Sequence, residues 1–66
     1  MRVCINGEWK DFGEPLQLPD LVAHLGLPAP LLLIEHNGIA LQRSEWVGRP
    51  VSDGDRLEIL RVAAGG

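Results

Sequence analysis

The chemistry available to this sequence is concentrated at its end. The segment Arg61-Val62-Ala63-Ala64-Gly65-Gly66 closes on two glycines, whose lack of side chains lets a chain thread a narrow channel and bring a terminal carboxylate to a reactive centre. A carboxylate is a poor electrophile, because its charge repels nucleophiles and its oxygen leaves badly. Transfer to the α-phosphate of ATP makes an acyl-adenylate, from which AMP departs readily. A sulfide or persulfide sulfur can then displace AMP and leave a thiocarboxylate, in the persulfide case once a thiol has cleaved the S–S bond. None of this asks for a catalytic side chain on the carrier. Five extended residues, Val62 to Gly66, span at most about 16–18 Å, enough to enter a partner's active site while the folded body rests outside it. The competing reading is a frayed terminus whose glycines are incidental.

The segment before the tail reads as a strand, Arg56 to Val62. Leu57 and Ile59 share one face and Arg61 follows on it. Arg56, Glu58, Leu60 and Val62 share the other. If Leu57 and Ile59 face the core, Leu60 and Val62 are left on the open side, where an apolar patch beside the tail would serve as a docking surface.

The remaining elements must hold that strand. Arg2-Val3-Cys4-Ile5 alternates, Asn6-Gly7 supplies the positive φ of a two-residue turn, and Glu8 to Phe12 returns, so the chain is predicted to open with a hairpin. Gly13-Glu14-Pro15 reads as a break before Leu16-Gln17-Leu18. Leu18, Leu21, Val22 and Leu25 fall at i, i+3, i+4 and i+7, one stripe of a helix predicted from Pro19 to Leu25. Pro19 suits the first turn, Asp20 complements the dipole, and Gly26 with Pro28 ends the helix. With no strong side-chain N-cap, packing must hold it.

Leu31-Leu32-Leu33-Ile34 is apolar without alternation and is predicted to be a strand buried on both faces or partly covered by a partner. Asn37-Gly38 is a second turn, Ile39-Ala40-Leu41 a short return, and Gln42 to Trp46 a helical turn with Trp46 in the core. Val47 to Val51 reads as an irregular crossing and Ser52-Asp53-Gly54-Asp55 as a tight turn. The expected fold is α+β: a mixed four- to five-stranded sheet on one α-helix, with first and last strands side by side and parallel. This is the ubiquitin-like β-grasp arrangement, spanning 1–62, with a flexible reactive tail at 63–66.

Sixty-six residues make one domain near the lower limit for a self-sufficient core. There is no room for a cleft between lobes, so such a chain is more suited to being acted on than to catalysing. The net charge is −3 and the six basic residues are scattered, which argues against nucleic-acid binding. A mildly acidic carrier would suit a partner with a basic docking surface. No apolar run is long enough for a membrane span. A single cysteine forms no internal disulfide, and the N-terminus lacks the marks of a signal peptide. A cytoplasmic protein, monomeric when free, is expected.

Cys4 reads as a small apolar strand residue. His24 and His36 are far apart in sequence and lack cysteine partners, so no metal site is expected. Asp53 and Asp55 flank a glycine without the calcium-loop spacing and read as a turn. Trp9 and Trp46 read as packing anchors.

Over its whole length the sequence resembles the thiamine-pathway sulfur carrier family, ThiS. The resemblance rests on the compact length and Asn6 after the first strand. It continues through Asn37-Gly38, the Arg43-Ser44-Glu45-Trp46 turn, Asp53-Gly54-Asp55 before the last strand, and Val62-Ala63-Ala64-Gly65-Gly66. It implies a protein that is not an enzyme and binds no cofactor of its own. Gly66 would be adenylated by an ATP-dependent ThiF-type adenylyltransferase and converted to a thiocarboxylate with sulfur that ultimately comes from cysteine, through a cysteine desulfurase or other donor. Thiazole synthase would accept the sulfur. The reactive tail would be Ala64, Gly65 and Gly66. Leu60 and Val62 would map to the docking face, with Ala63 where family members often carry a larger apolar residue. Molybdopterin synthesis, tRNA thiolation, attachment to other proteins through Gly66, and a plain binding module remain alternatives.

Overall fold

The computed structural model describes residues 1–13 and 15–62. Strands β1 (Arg2–Ile5) and β2 (Glu8–Asp11) form the opening hairpin, with Val3 opposite Lys10 and Ile5 opposite Glu8. Asn6 and Gly7 at the turn have φ of 51° and 83°, as a primed two-residue turn demands. β3 (Leu16–Gln17) leads into α1 (Leu18–Leu25). A 3₁₀ turn, Ala29–Leu31, enters β4 (Leu32–His36), which turns at Asn37-Gly38 into β5 (Ile39–Leu41). A second 3₁₀ turn, Arg43–Glu45, precedes β6 (Pro50–Val51), and the sheet finishes with β7 (Arg56–Arg61). The break expected around Gly13-Glu14-Pro15 includes Glu14, outside the described residues.

The main sheet has five strands in the order β2-β1-β7-β4-β5. β7 lies at its centre, parallel to β1 and antiparallel to β4. This is the mixed β-grasp sheet the element order predicts. The helix covers one face. Leu18, Leu21 and Val22 are buried there against Val3, Ile5, Ile34, Leu57 and Ile59, with Trp46 closing one side. The helix N-terminus has no side-chain cap, and Gly26 ends the helix in the left-handed region. In place of a cap, the Leu18 N–H donates to the Arg49 carbonyl at 2.8 Å, continuing the β3–β6 pairing.

Three expectations need correction. The Leu31–Ile34 run is not a strand buried on both faces. Its first residue belongs to a 3₁₀ turn, and β4 alternates, with Leu32, Ile34 and His36 buried and Leu33 and Glu35 exposed. One helix can cover only one side of a sheet this small, so every second β4 residue faces outward. The irregular crossing from Val47 contains β6, which pairs antiparallel with β3 in a two-stranded sheet of its own. Trp9 is not a core anchor. It is 43% exposed on the edge strand, with the Arg2 and Arg56 guanidiniums 5.3 and 5.6 Å from its ring centroid. Those cations settle the exposed ring through its π-face.

Candidate functional site

The candidate site is the open face of the sheet where β7 ends. β7 is fixed there from both sides. On the β1 side, main-chain pairing stops at the Asn6 turn, and the Asn6 side chain takes over. Its Nδ2 donates to the Ile59 carbonyl at 3.0 Å and its Oδ1 accepts the Ile59 N–H at 2.7 Å, so the amide imitates one more residue of strand. On the β4 side, Ile34 faces Ile59, Leu33 faces Leu60 and Leu32 faces Arg61. The Val62 N–H then donates to the Leu31 carbonyl at 2.7 Å. The strand is therefore tied down to its last described residue.

Alternation along β7 puts Leu57 and Ile59 in the core and leaves Leu60 62% exposed, with Val62 partly exposed beyond it. Leu60 and Val62, the residues expected to dock, are thus on the open side as the alternation predicts. Leu33, 55% exposed and opposite Leu60, joins them, and Ala40 on β5 is exposed beside it. Leu33, Leu60 and Ala40, with Glu35 and Glu58, border a shallow groove of about 360 Å³. Sequence reasoning missed Leu33 because the apolar run hid its alternation. Glu35, two residues on and therefore on the same face, is the signal that could have revealed it. Ala63, Ala64, Gly65 and Gly66 lie outside the described residues, so neither the tail nor the Ala63 contact is placed.

A second polar cluster lies at the opposite end of β7, in the turn that starts it. The Asp55 carboxylate accepts from the Ser52 N–H at 2.8 Å, from His36 Nε2 at 2.7 Å and from Asn37 Nδ2 at 3.1 Å. Arg49 Nε donates to His36 Nδ1 at 2.9 Å, so the ring proton sits on Nε2, facing Asp55. Burial pushes the Asp55 carboxyl up, but the Ser52, His36 and Asn37 donors outweigh it and hold the group below the usual aspartate value. Asp53 accepts the Arg2 N–H at 2.6 Å, and the Gly54 N–H donates to the Arg2 carbonyl at 2.7 Å. Both aspartates thus act as turn acceptors that set where β7 begins.

The side chains set aside at the sequence level take structural places. Cys4 is buried, in the cross-strand row between Trp9 and Arg56. His24 stands edge-on to Phe12. Trp46 is buried as expected, with its indole N–H unpartnered among the described residues. Those residues include no cluster of three or more ligand-type side chains suited to a metal ion, and no helix long and apolar enough to cross a membrane.

Known proteins share this arrangement. The sequence model of the ThiS family matches residues 3–66. The crystal structure of a thiamine biosynthesis protein (ThiS) from Geobacter metallireducens superposes with a TM-score of 0.86 at 30% identity, each chain covered completely. A thiazole synthase from Paramagnetospirillum magneticum is 32% identical over all 66 residues, and the chain spans only 20% of that protein's length. The uncharacterized protein ycf40 of Porphyra purpurea is 30% identical over 66 residues, 93% of its length.

Proposed function

The chain belongs to the ThiS family, and from that premise we propose that it is a sulfur carrier of thiamine biosynthesis whose reactive group is the Gly66 carboxylate. The observation that carries this reading is the exit of β7. The central strand is held on both sides as far as Ile59 and on the β4 side to Val62, close after exposed Leu60 and its cross-strand partner Leu33. A partner resting on that face has the tail within reach.

In the proposed cycle a ThiF-type adenylyltransferase transfers AMP from ATP to the Gly66 carboxylate and releases pyrophosphate. Sulfide displaces AMP directly to give the thiocarboxylate. If the donor is a persulfide, its outer sulfur displaces AMP to give an acyl disulfide. A thiol of the donor protein then cleaves it, leaving the thiocarboxylate on Gly66 and a disulfide on the donor. The sulfur passes to a thiazole synthase, in keeping with the relative of that name. The chain's own part is to present Ala64-Gly65-Gly66 and to dock through Leu60, Val62 and Ala63. It supplies no side-chain acid, base or nucleophile; the nucleophiles it brings are the Gly66 carboxylate and then the thiocarboxylate sulfur.

Intact-mass analysis after incubation with the adenylyltransferase, ATP and a sulfur donor tests the reading. Exchange of one oxygen for sulfur at the C-terminus is the expected result, and deletion of Gly66 abolishes it. Thiolation of the shortened chain would refute the assignment, and a gain equal to a second protein would mark a protein modifier instead.

A further inference from the structure

The open face carries a charge arrangement that an apolar patch alone does not need. Glu35 and Glu58 are direct cross-strand partners on β4 and β7. Both are exposed, while their neighbours Ile34, His36, Leu57 and Ile59 are buried, so the two carboxylates project from the same side of the sheet. Like charges directly opposite one another weaken a sheet. Among the described residues neither carboxylate has an ion-pair partner: the ion pairs present are Arg2–Asp11 and Lys10–Glu8, and Asp55 is taken up by the neutral His36 ring. Arg56, two residues before Glu58 on the same face, is turned over the Trp9 ring instead. Leu33 and Leu60 sit one step further along, and Ala40 faces Glu35 on β5. The repulsive pair is therefore framed by apolar side chains in a groove of about 360 Å³.

The position of the pair indicates what covers it. Residues 63–66 add at most about 13–14 Å beyond Val62, so a protein that takes up the Gly66 carboxylate must rest on the sheet close to Val62. Glu58 lies four residues before Val62, about 13 Å back along the strand. A standard contact of about 800 Å² on each partner extends over it. An enzyme that joins a carboxylate to ATP gathers anionic reactants, which calls for a basic rim around its site. Two carboxylates on adjacent strands suit the planar fork of a guanidinium, which can donate to both.

Resting on the carrier reading above, we propose that Glu35 and Glu58 together form the receptor for an arginine side chain that the adenylyltransferase inserts between them as its surface covers Leu33 and Leu60. The repulsion borne by the free carrier is relieved in the complex, and the charge pair fixes the register in which the tail enters the active site.

The test compares wild type with the Glu35→Gln/Glu58→Gln double variant by titration against the adenylyltransferase at about 50 and 200 mM salt. The double variant is expected to bind about ten-fold more weakly at low salt and to lose most of the salt dependence. Its denaturation midpoint stays equal to or above wild type, since a repulsive pair has been neutralised. Unchanged affinity and salt dependence in the folded variant would overturn the receptor. If wild type is thiolated in the mass experiment while the variant binds equally well, the receptor is wrong and the carrier reading stands. If wild type is not thiolated, both fall.

Discussion

Single side chains decide how firmly β7 is held and what it offers. Asn6 gives two hydrogen bonds to Ile59 from a turn residue with φ of 51°. Asn6→Ala loses both and strains the turn, so a loss of about 2–3 kcal/mol is expected in chemical denaturation. Leu60 is the opposite case. It is exposed, so Leu60→Asp should change stability by no more than about 0.5 kcal/mol, yet weaken adenylyltransferase binding about ten-fold or more. Undiminished affinity would remove Leu60 from the docking surface. Asp55 gives a pH signature. Its carboxyl is held below the unfolded value, near 3.9, so it contributes stability that is complete above that value and lost as pH falls through the lower, folded one. The stability gap between wild type and Asp55→Asn should therefore be constant near neutrality, about 2 kcal/mol, and close below about pH 4. A gap that persists in acid would contradict the ionised-acceptor role.

The elements show which parts of the fold were legible in the sequence. Both hairpins were, because Asn-Gly pairs demand a particular turn, and Gly7 and Gly38 adopt φ of 83° and 84°. An added Cβ would meet nothing within 4 Å at Gly38. Gly38→Ala should therefore cost stability through backbone strain alone, about 1–2 kcal/mol, and a thermal melt of the variant checks it. The helix was legible from its stripe, and β7 from its alternation and the turn before it. The β3–β6 pair was not, since two-residue strands carry no period. The face of β4 was obscured by four consecutive apolar residues, although the helix can cover only one of its sides. The role of His36, donor to Asp55 and acceptor from Arg49, was hidden because these partners lie 19 and 13 residues away in sequence. The open-face residues Leu60 and Val62 were readable two at a time along one strand, whereas Leu33 and Ala40 required the strand order.

At the scale of the whole molecule, the proposed function divides the work between the folded body and the last residues. The core is complete by Ile59, so deleting Gly66 is expected to leave the unfolding transition unchanged while abolishing thiolation. The edges of the main sheet are β2, whose four residues are all exposed and three of them charged, and the three-residue β5. Both are poor templates for a further strand, leaving the open face as the surface for association. The placement of β7 between β1 and β4 also has a mechanical consequence. In the proposed cycle, an enzyme that draws the terminal glycines into its channel pulls on the middle strand along that strand's own axis. The bonds on its two flanks, the Asn6 amide among them, share the load in shear, whereas an edge strand would peel away one bond at a time. Under the proposed function, that geometry lets the molecule be pulled by its C-terminal end without unravelling.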